Sequence, residues 1–132
     1  MFSQAGGVQP GPSATVAPLG AEHVRLFYHY LDLGDTEGLV SLLDPDTRFR
    51  YPGRPTARGP SQVVSLLDRP LTTHTRHSLF KTVAEGDTVV AIGRFTRERE
   101  SEGNRNETEF VDVFTLSEHG LLLACRRYRW VN

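Results

Sequence analysis

An aspartate lies between two phenylalanines in the segment Phe110-Val111-Asp112-Val113-Phe114. Residues two apart in a β-strand share a face, so Asp112 would share one with Phe110 and Phe114. A carboxyl group on an apolar face is costly unless it is protonated or hydrogen-bonded, and burial raises its pKa. The pattern makes Asp112 a candidate general acid/base, with the two phenylalanines as substrate contacts. The alternative is that Val111 and Val113 are buried and Asp112 faces solvent.

Two histidines, His74 and His77, lie three residues apart. That spacing resembles a metal-ligand pair, but three residues along a strand place two side chains on opposite faces, so we predict no metal site. One histidine is expected to face the interior, and His77 alternates with Leu79 and Val83. A neutral imidazole suits a general base near pH 7. The sequence does not decide which histidine faces a pocket, and a structural histidine is the alternative for each.

Three arginines, Arg126, Arg127 and Arg129, lie in the segment that follows the last predicted turn. Arg127 and Arg129 would share a strand face with Cys125. If that face is concave, Arg127 could bind a ligand carboxylate or pair with Asp112. The alternative is a solvated arginine, or one at a subunit edge.

Helical periodicity in the first half predicts the elements that pack behind these strands. Val24, Phe27, Tyr28 and Leu31 recur at helical spacing and form one apolar stripe. The predicted elements are a helix over 21–33, a short second helix capped by Asp35 and stopped by Asp44-Pro45-Asp46, a short strand over 47–51, and a third helix from Gly59-Pro60-Ser61 to Arg69-Pro70.

Four long strands are predicted in the second half, over 73–84, 88–99, 107–116 and 121–131, joined by turns that contain glycine. Helices followed by antiparallel strands predict an α+β fold, with the helices on one face of a curved sheet. Both faces of the strand over 107–116 are apolar, which predicts a homodimer through the outer sheet face.

Length and charge bound the possible functions. The 132 residues fit one domain, and 15 basic against 16 acidic residues favour neither nucleic acid nor an anionic membrane. No apolar run is long enough to span a bilayer. Residues 1–20 contain no charge and are rich in Gly and Pro, so we predict a flexible leader before a domain over 21–132. The lone Cys125 and the absence of a signal-like pattern predict a cytoplasmic protein.

The order of the predicted elements resembles the nuclear transport factor two-like superfamily. Leu31-Asp32-Leu33-Gly34-Asp35 is similar to its first helical hairpin, and Arg48-Phe49-Arg50-Tyr51-Pro52-Gly53 to the strand before its third helix. Phe110-Val111-Asp112-Val113-Phe114 with Arg127-Tyr128-Arg129-Trp130 is similar to the last hairpin of ketosteroid isomerases and SnoaL-like polyketide cyclases. The resemblance covers residues 21–131. It implies an α+β barrel, in which a cone-shaped, curved antiparallel sheet wraps around three N-terminal helices and encloses one pocket.

The resemblance also implies site roles. Asp112 matches the acid/base Asp of the cyclases, and related dehydratases use a pocket histidine as general base. Tyr51 stands where the isomerases carry their proton-shuttling Asp, and Phe27 where they carry a catalytic Tyr, which argues against steroid isomerisation. Tyr51 and Tyr28 are then candidate hydrogen-bond donors to a ligand, with Phe27 beside them.

We therefore expect a small enzyme without cofactor or metal that acts on an apolar cyclic or polyketide-like metabolite. The expected reaction is cyclisation, isomerisation or dehydration through an enolate, with Asp112 as the acid/base. Two alternatives remain open. One is an epoxide hydrolase or epoxide-opening cyclase that uses the same acid, and the other is a non-catalytic dimer that binds small molecules.

Overall fold

A computed structural model describes residues 16–68, 73–99 and 104–129 of the chain. These residues form three helices and six strands. In chain order the elements are α1 Val16–Leu33, α2 Thr36–Ser41, β1 Leu43–Arg50, β2 Ala57–Arg58, α3 Gly59–Leu67, β3 Thr73–Glu85, β4 Thr88–Arg99, β5 Asn104–Leu116 and β6 Leu122–Arg129. No helix among the described residues is long and apolar enough to cross a membrane.

The six strands form one curved, open sheet in the order β2-β1-β6-β5-β4-β3. Helix α1 packs on its inner face, where the Phe27 ring lies 5.7 Å from the Phe49 ring and 5.6 Å from the Phe114 ring. The predicted α+β fold, three helices enclosed by a curved sheet, is confirmed. The sheet is not wholly antiparallel, however, because β1 and β6 run parallel.

Helix α1 begins at Val16, five residues before the predicted start, so it includes residues 16–20, and the rest of the predicted leader lies outside the described residues. Gly20 explains the difference. It looks like a linker residue by composition, but a β-carbon there would lie 2.1 Å from a methyl of Leu116. Glycine at this position lets α1 approach the end of β5 closely. His23 fixes the same end of the sheet, with its Nδ1 2.8 Å from the carbonyl oxygen of Gly120.

Strand β1 starts at Leu43, although Asp44-Pro45-Asp46 was predicted only to end a helix. The pairing of β1 with β6 shifts register between Leu43 and Arg48, so the proline lies in an irregular part of the strand where its missing N–H costs little. Helix α2 is correspondingly short, and its Val40 is exposed. Asp35 caps this helix as predicted, accepting a hydrogen bond from the Gly38 N–H at 2.8 Å.

A bulge interrupts β3 between Leu79 and Lys81, opposite Gly93 of β4. A β-carbon at Gly93 would lie 2.4 Å from the Ser78 carbonyl oxygen, so the two strands approach here in a way that only glycine allows. The bulge breaks the alternation that was predicted to put Val83 on the same face as His77, and Val83 is exposed. His77 faces the inside of the sheet.

Candidate functional site

A pocket of about 420 Å³ opens between α1, α3 and the inner face of the sheet. Apolar side chains of the two helices and of β4 form part of its walls, and its polar groups are one histidine, one tyrosine, one threonine, one aspartate and four arginines. The lining residues are Leu31, Tyr51, Pro52, Arg54, Leu66, Leu67, Asp68, Thr75, His77, Phe95, Arg97, Arg127 and Arg129. A concave pocket that combines apolar walls with convergent polar groups is typical of a small-molecule site.

Asp32 of α1 holds His77 of β3 in a fixed orientation. The Asp32 carboxylate accepts two hydrogen bonds, one from the His77 ring Nδ1 at 2.6 Å and one from the His77 backbone N–H at 2.8 Å. Because an ionised carboxylate only accepts, the proton of the neutral imidazole must sit on Nδ1, which leaves the Nε2 lone pair free. The His77 side chain is 3% exposed and lines the pocket. The pair has the form of a general base oriented by a carboxylate.

Arg127 of β6 reaches the same pocket, and its guanidinium is held from behind by Asp112 of β5. Nε donates to Oδ1 of Asp112 at 2.8 Å, and Nη2 donates to Oδ2 at 2.9 Å. The two residues are directly paired across the strands, which fixes this bidentate geometry. The guanidinium also stacks over the rings of Phe110 at 4.3 Å and Tyr51 at 4.6 Å. The two hydrogen bonds and the two ring contacts together fix the orientation of the Arg127 guanidinium.

Tyr28 of α1 completes the environment of Asp112. Its hydroxyl donates to Oδ2 of Asp112 at 2.5 Å. Burial, reinforced by the nearby carboxylate, raises the pKa of Tyr28 well above its usual value, so the phenol keeps its proton. Burial disfavours the charged form of Arg127, but Tyr51 and Asp112 favour it more strongly, and its pKa lies above the usual arginine value. The result is a buried ion pair that stays charged.

Tyr51 presents its ring to the pocket, whereas its hydroxyl is buried without a hydrogen-bond partner among the described residues. Burial raises the pKa of Tyr51 well above its usual value, despite the opposing effect of Arg127. The residue therefore serves as a neutral, aromatic wall that also covers one face of the Arg127 guanidinium.

The residues predicted from the sequence divide into two groups. His77, Tyr51 and Arg127 line the pocket. Asp112 is fully buried behind Arg127 and is not among the lining residues, and Tyr28 reaches Asp112 instead of the pocket. Phe27, Phe110 and Phe114, predicted to contact the substrate, are buried in the core and do not line the pocket either. The side chain of His74 lies outside the part of the chain that the structure describes.

Asp32 is a residue of the candidate site that the sequence analysis missed. It lies four residues after Tyr28, and therefore one helical turn along the buried face of α1. A carboxylate beside an apolar helical stripe is the signal that could have identified it. No three or more His, Cys, Asp or Glu side chains are grouped to hold a metal ion in the described ranges.

Comparison with protein families supports the architecture. The family model described as a SnoaL-like domain matches residues 24–124, which is most of the chain. No curated protein matches the chain in sequence.

Solved structures with the same fold include enzymes. A Mycobacterium tuberculosis LEH-like epoxide hydrolase has a TM-score of 0.76 at 18% identity, over 86% of this chain and 84% of its own. A putative SnoaL-like polyketide cyclase from Jannaschia sp. CCS1 has a TM-score of 0.77 at 16% identity, over 89% of both chains. Another M. tuberculosis protein, solved in complex with estradiol-17β-hemisuccinate, has a TM-score of 0.74 at 17% identity, over 86% of this chain and 94% of its own. At these identities the likeness concerns the fold.

Proposed function

The chain belongs to the SnoaL-like family, and from this premise we propose that it is an enzyme that removes a proton from carbon in a small, largely apolar metabolite. Relatives on this fold include proteins described as a polyketide cyclase and an epoxide hydrolase, so the fold is compatible with several reaction classes. The reaction class therefore has to be inferred from the residues in the pocket of this chain.

The Asp32–His77 pair is the observation that carries the proposal. Nε2 of His77 takes a proton from a carbon next to a carbonyl group, the C–H bond breaks, and its electron pair moves onto the carbonyl oxygen as an enolate. The imidazolium that forms is stabilised by the Asp32 carboxylate at Nδ1. The same proton can then return to another carbon in an isomerisation. Alternatively, the enolate expels a β-hydroxyl group, which takes the imidazolium proton and leaves as water, or it attacks a carbonyl carbon of the same molecule, whose oxygen takes that proton.

Arg127 is the group suited to stabilise the enolate oxygen, since its charged guanidinium lines the pocket in a fixed orientation. Asp112 then acts through Arg127 as a positioning residue, which replaces the direct acid/base role expected from its sequence position. Tyr28 supports Asp112 through its hydroxyl. This division of roles follows from burial, because Asp112 has no exposed surface with which to touch a substrate.

The apolar walls favour a ligand with a cyclic or polyketide-like carbon skeleton. Leu31, Leu66, Leu67 and Phe95 line the pocket, whose volume of about 420 Å³ lies in the usual range for small-molecule sites. One relative with this fold was solved with a steroid ester, which agrees with a pocket that takes fused rings.

Deuterium exchange tests the proposal without knowledge of the full reaction. The protein is incubated in D₂O with cyclic ketones and polyketide-like β-keto esters, and incorporation at carbon is followed by mass spectrometry. Exchange should be fast with the wild type and slower by roughly 10² to 10⁴ in His77→Gln, with a similar loss in Asp32→Asn. His119→Gln, at an exposed turn, is the matched control and should exchange like the wild type.

Two other outcomes of this experiment would support a different function. Ligands that bind without exchange in any variant would support a non-catalytic binding protein. Hydrolysis of cyclic epoxides that depends on His77, without exchange of ketones, would support an epoxide hydrolase in which the histidine activates water.

We also propose that the protein is a homodimer through the outer face of the sheet. Val90, Ile92, Val111 and Val113 lie there as adjacent cross-strand neighbours and are only half-buried. This strip has a basic end with Arg48, Arg50 and Arg126, and Glu107 and Glu109 near its other end. Two copies related by a two-fold axis would bury the apolar strip of each against that of the other.

A further inference from the structure

Three exposed arginines surround the opening of the pocket: Arg54 after β1, Arg97 on β4 and Arg129 on β6, here called the rim arginines. We infer that the ligand of this pocket carries an anionic oxygen group, a carboxylate or a phosphate, which the rim arginines bind. The inference rests on the proposed function for the position of the reacting carbon at His77, and it adds the substrate class.

The first argument is the balance of charge in the pocket. The lining contains four guanidinium groups and one carboxylate, that of Asp68. Arg127 is neutralised by Asp112, which it binds through two hydrogen bonds. No carboxylate of the described residues pairs with a rim arginine. The opening is therefore left with an excess of positive charge that a bound anion would compensate.

The second argument is convergence. The rim arginines come from three separate elements, yet all three reach one opening. Guanidinium groups present planar forks of N–H donors that fit the oxygens of carboxylate and phosphate, and several of them around one point make an anion site.

The third argument is the distance between the rim and the interior. Arg129 lies two residues beyond Arg127 on the same face of β6, and Arg97 lies two residues beyond Phe95 on β4. Two residues along a strand span about 6.6 Å. Arg127 and His77 are almost fully buried, with side chains 8% and 3% exposed, whereas the rim arginines are exposed. The expected ligand thus has its reactive, apolar part inside and its anionic group some 7 Å further out.

Calorimetry with three matched probes tests the inference. The probes are 2-naphthaleneacetic acid, its methyl ester and 2-naphthyl phosphate, which share the same aromatic body and differ in the group attached to it. The protein variants are the wild type, the double variant Arg97→Gln/Arg129→Gln, and Arg94→Gln. Arg94 is a matched control because it lies on β4 like Arg97 but contacts Glu107 and Glu109 outside the pocket.

The wild type should bind at least one of the two anions about tenfold or more tightly than the ester. That ratio should fall close to one in the double variant and stay unchanged in Arg94→Gln. Raising the salt concentration from about 0.05 M to about 0.5 M should weaken binding of the anions and leave the ester unaffected. The probe that binds more tightly, carboxylate or phosphate, identifies the anionic group.

Equal affinities for ester and anions, no binding of either anion, or a ratio that survives in the double variant would each overturn the inference. A His77→Gln variant separates this result from the proposed function. It should lose deuterium exchange and keep the preference for anions, since it leaves the rim unchanged. If the wild type prefers anions but catalyses no exchange, the proposed function fails and the anion site stands.

Discussion

Arg127 and Asp112 form a buried ion pair, and its stability depends on both partners being present. The carboxylate has no exposed surface and accepts three hydrogen bonds, two from Arg127 and one from Tyr28. Removing one charge from such a pair leaves the other uncompensated in a medium that solvates it poorly. Replacing both partners with apolar residues removes that penalty.

Substitution at Asp112 should therefore reduce stability as well as activity. We expect Asp112→Asn to lower the free energy of unfolding by about 3 to 5 kcal/mol, because Arg127 stays charged without its counter-ion. The double variant Asp112→Leu/Arg127→Met should recover most of that loss and remain inactive. Urea denaturation monitored by circular dichroism measures both values. An Asp112→Asn protein as stable as the wild type would show that the pair contributes little to the fold.

Alternation along single strands predicted which residues face inward, and it allowed the pairing of Arg127 with Asp112 that the structure shows. It put Asp112 with two phenylalanines and Arg127 beside Cys125, and both assignments agree with the burial in the structure. It could not show that Arg127 covers Asp112 from the pocket, because that depends on the register between β5 and β6. Likewise, the interior position of His77 depends on how β3 curves around α1, which the pattern of one strand does not contain.

The pairing of β3 with β4 contains a bulge, and because a bulge bends its strand, the glycine opposite it matters for the curvature of the sheet. Gly93 lies opposite the bulge between Leu79 and Lys81, two residues before Phe95 of the pocket wall. A side chain at Gly93 would meet backbone and not a movable side-chain end. The strands would have to separate at the point where the sheet turns around the helices.

Gly93→Ala should accordingly lower the free energy of unfolding by roughly 2 kcal/mol or more. Gly86→Ala is a suitable comparison, since Gly86 has a φ of 59° but open space around its α-carbon. Only the backbone conformation opposes that substitution, and its cost should stay near 1 kcal/mol. Thermal unfolding of both variants compares the two losses of stability, and equal melting temperatures would contradict the steric argument.

Most helices and strands could be predicted from the sequence, and those that were missed were missed for one reason. Helix and strand periodicity identified α1, α3 and the four long strands to within a few residues. Residues 16–20, β2 and the start of β1 were missed because Gly, Pro and Asp there read as loop signals. In each case a tertiary contact decides the local structure: Gly20 against Leu116, Ala57 paired with Phe49, and Leu43 paired with Leu122.

At the scale of the whole molecule, the outer sheet face leads to a prediction on assembly. The wild type should sediment as a dimer at micromolar concentration, and Val111→Arg should sediment as a monomer, because it places a charge in the apolar strip. Leu33→Arg is the control, since Leu33 is 65% exposed at the end of α1, away from the sheet face. Sedimentation velocity distinguishes the species. A wild type that is monomeric throughout would exclude the proposed interface.

The parallel pairing of β1 with β6 has a consequence for folding during synthesis on the ribosome. Strands β3, β4 and β5 pair with their neighbours in sequence and can form a meander as soon as they leave the exit tunnel. β1 can pair with the two-residue β2 early, but it can pair with β6 only after more than half the chain length has been added. Tyr51 and Arg127 face each other only after that late step, so a nascent chain without β6 has most of its sheet and no finished pocket.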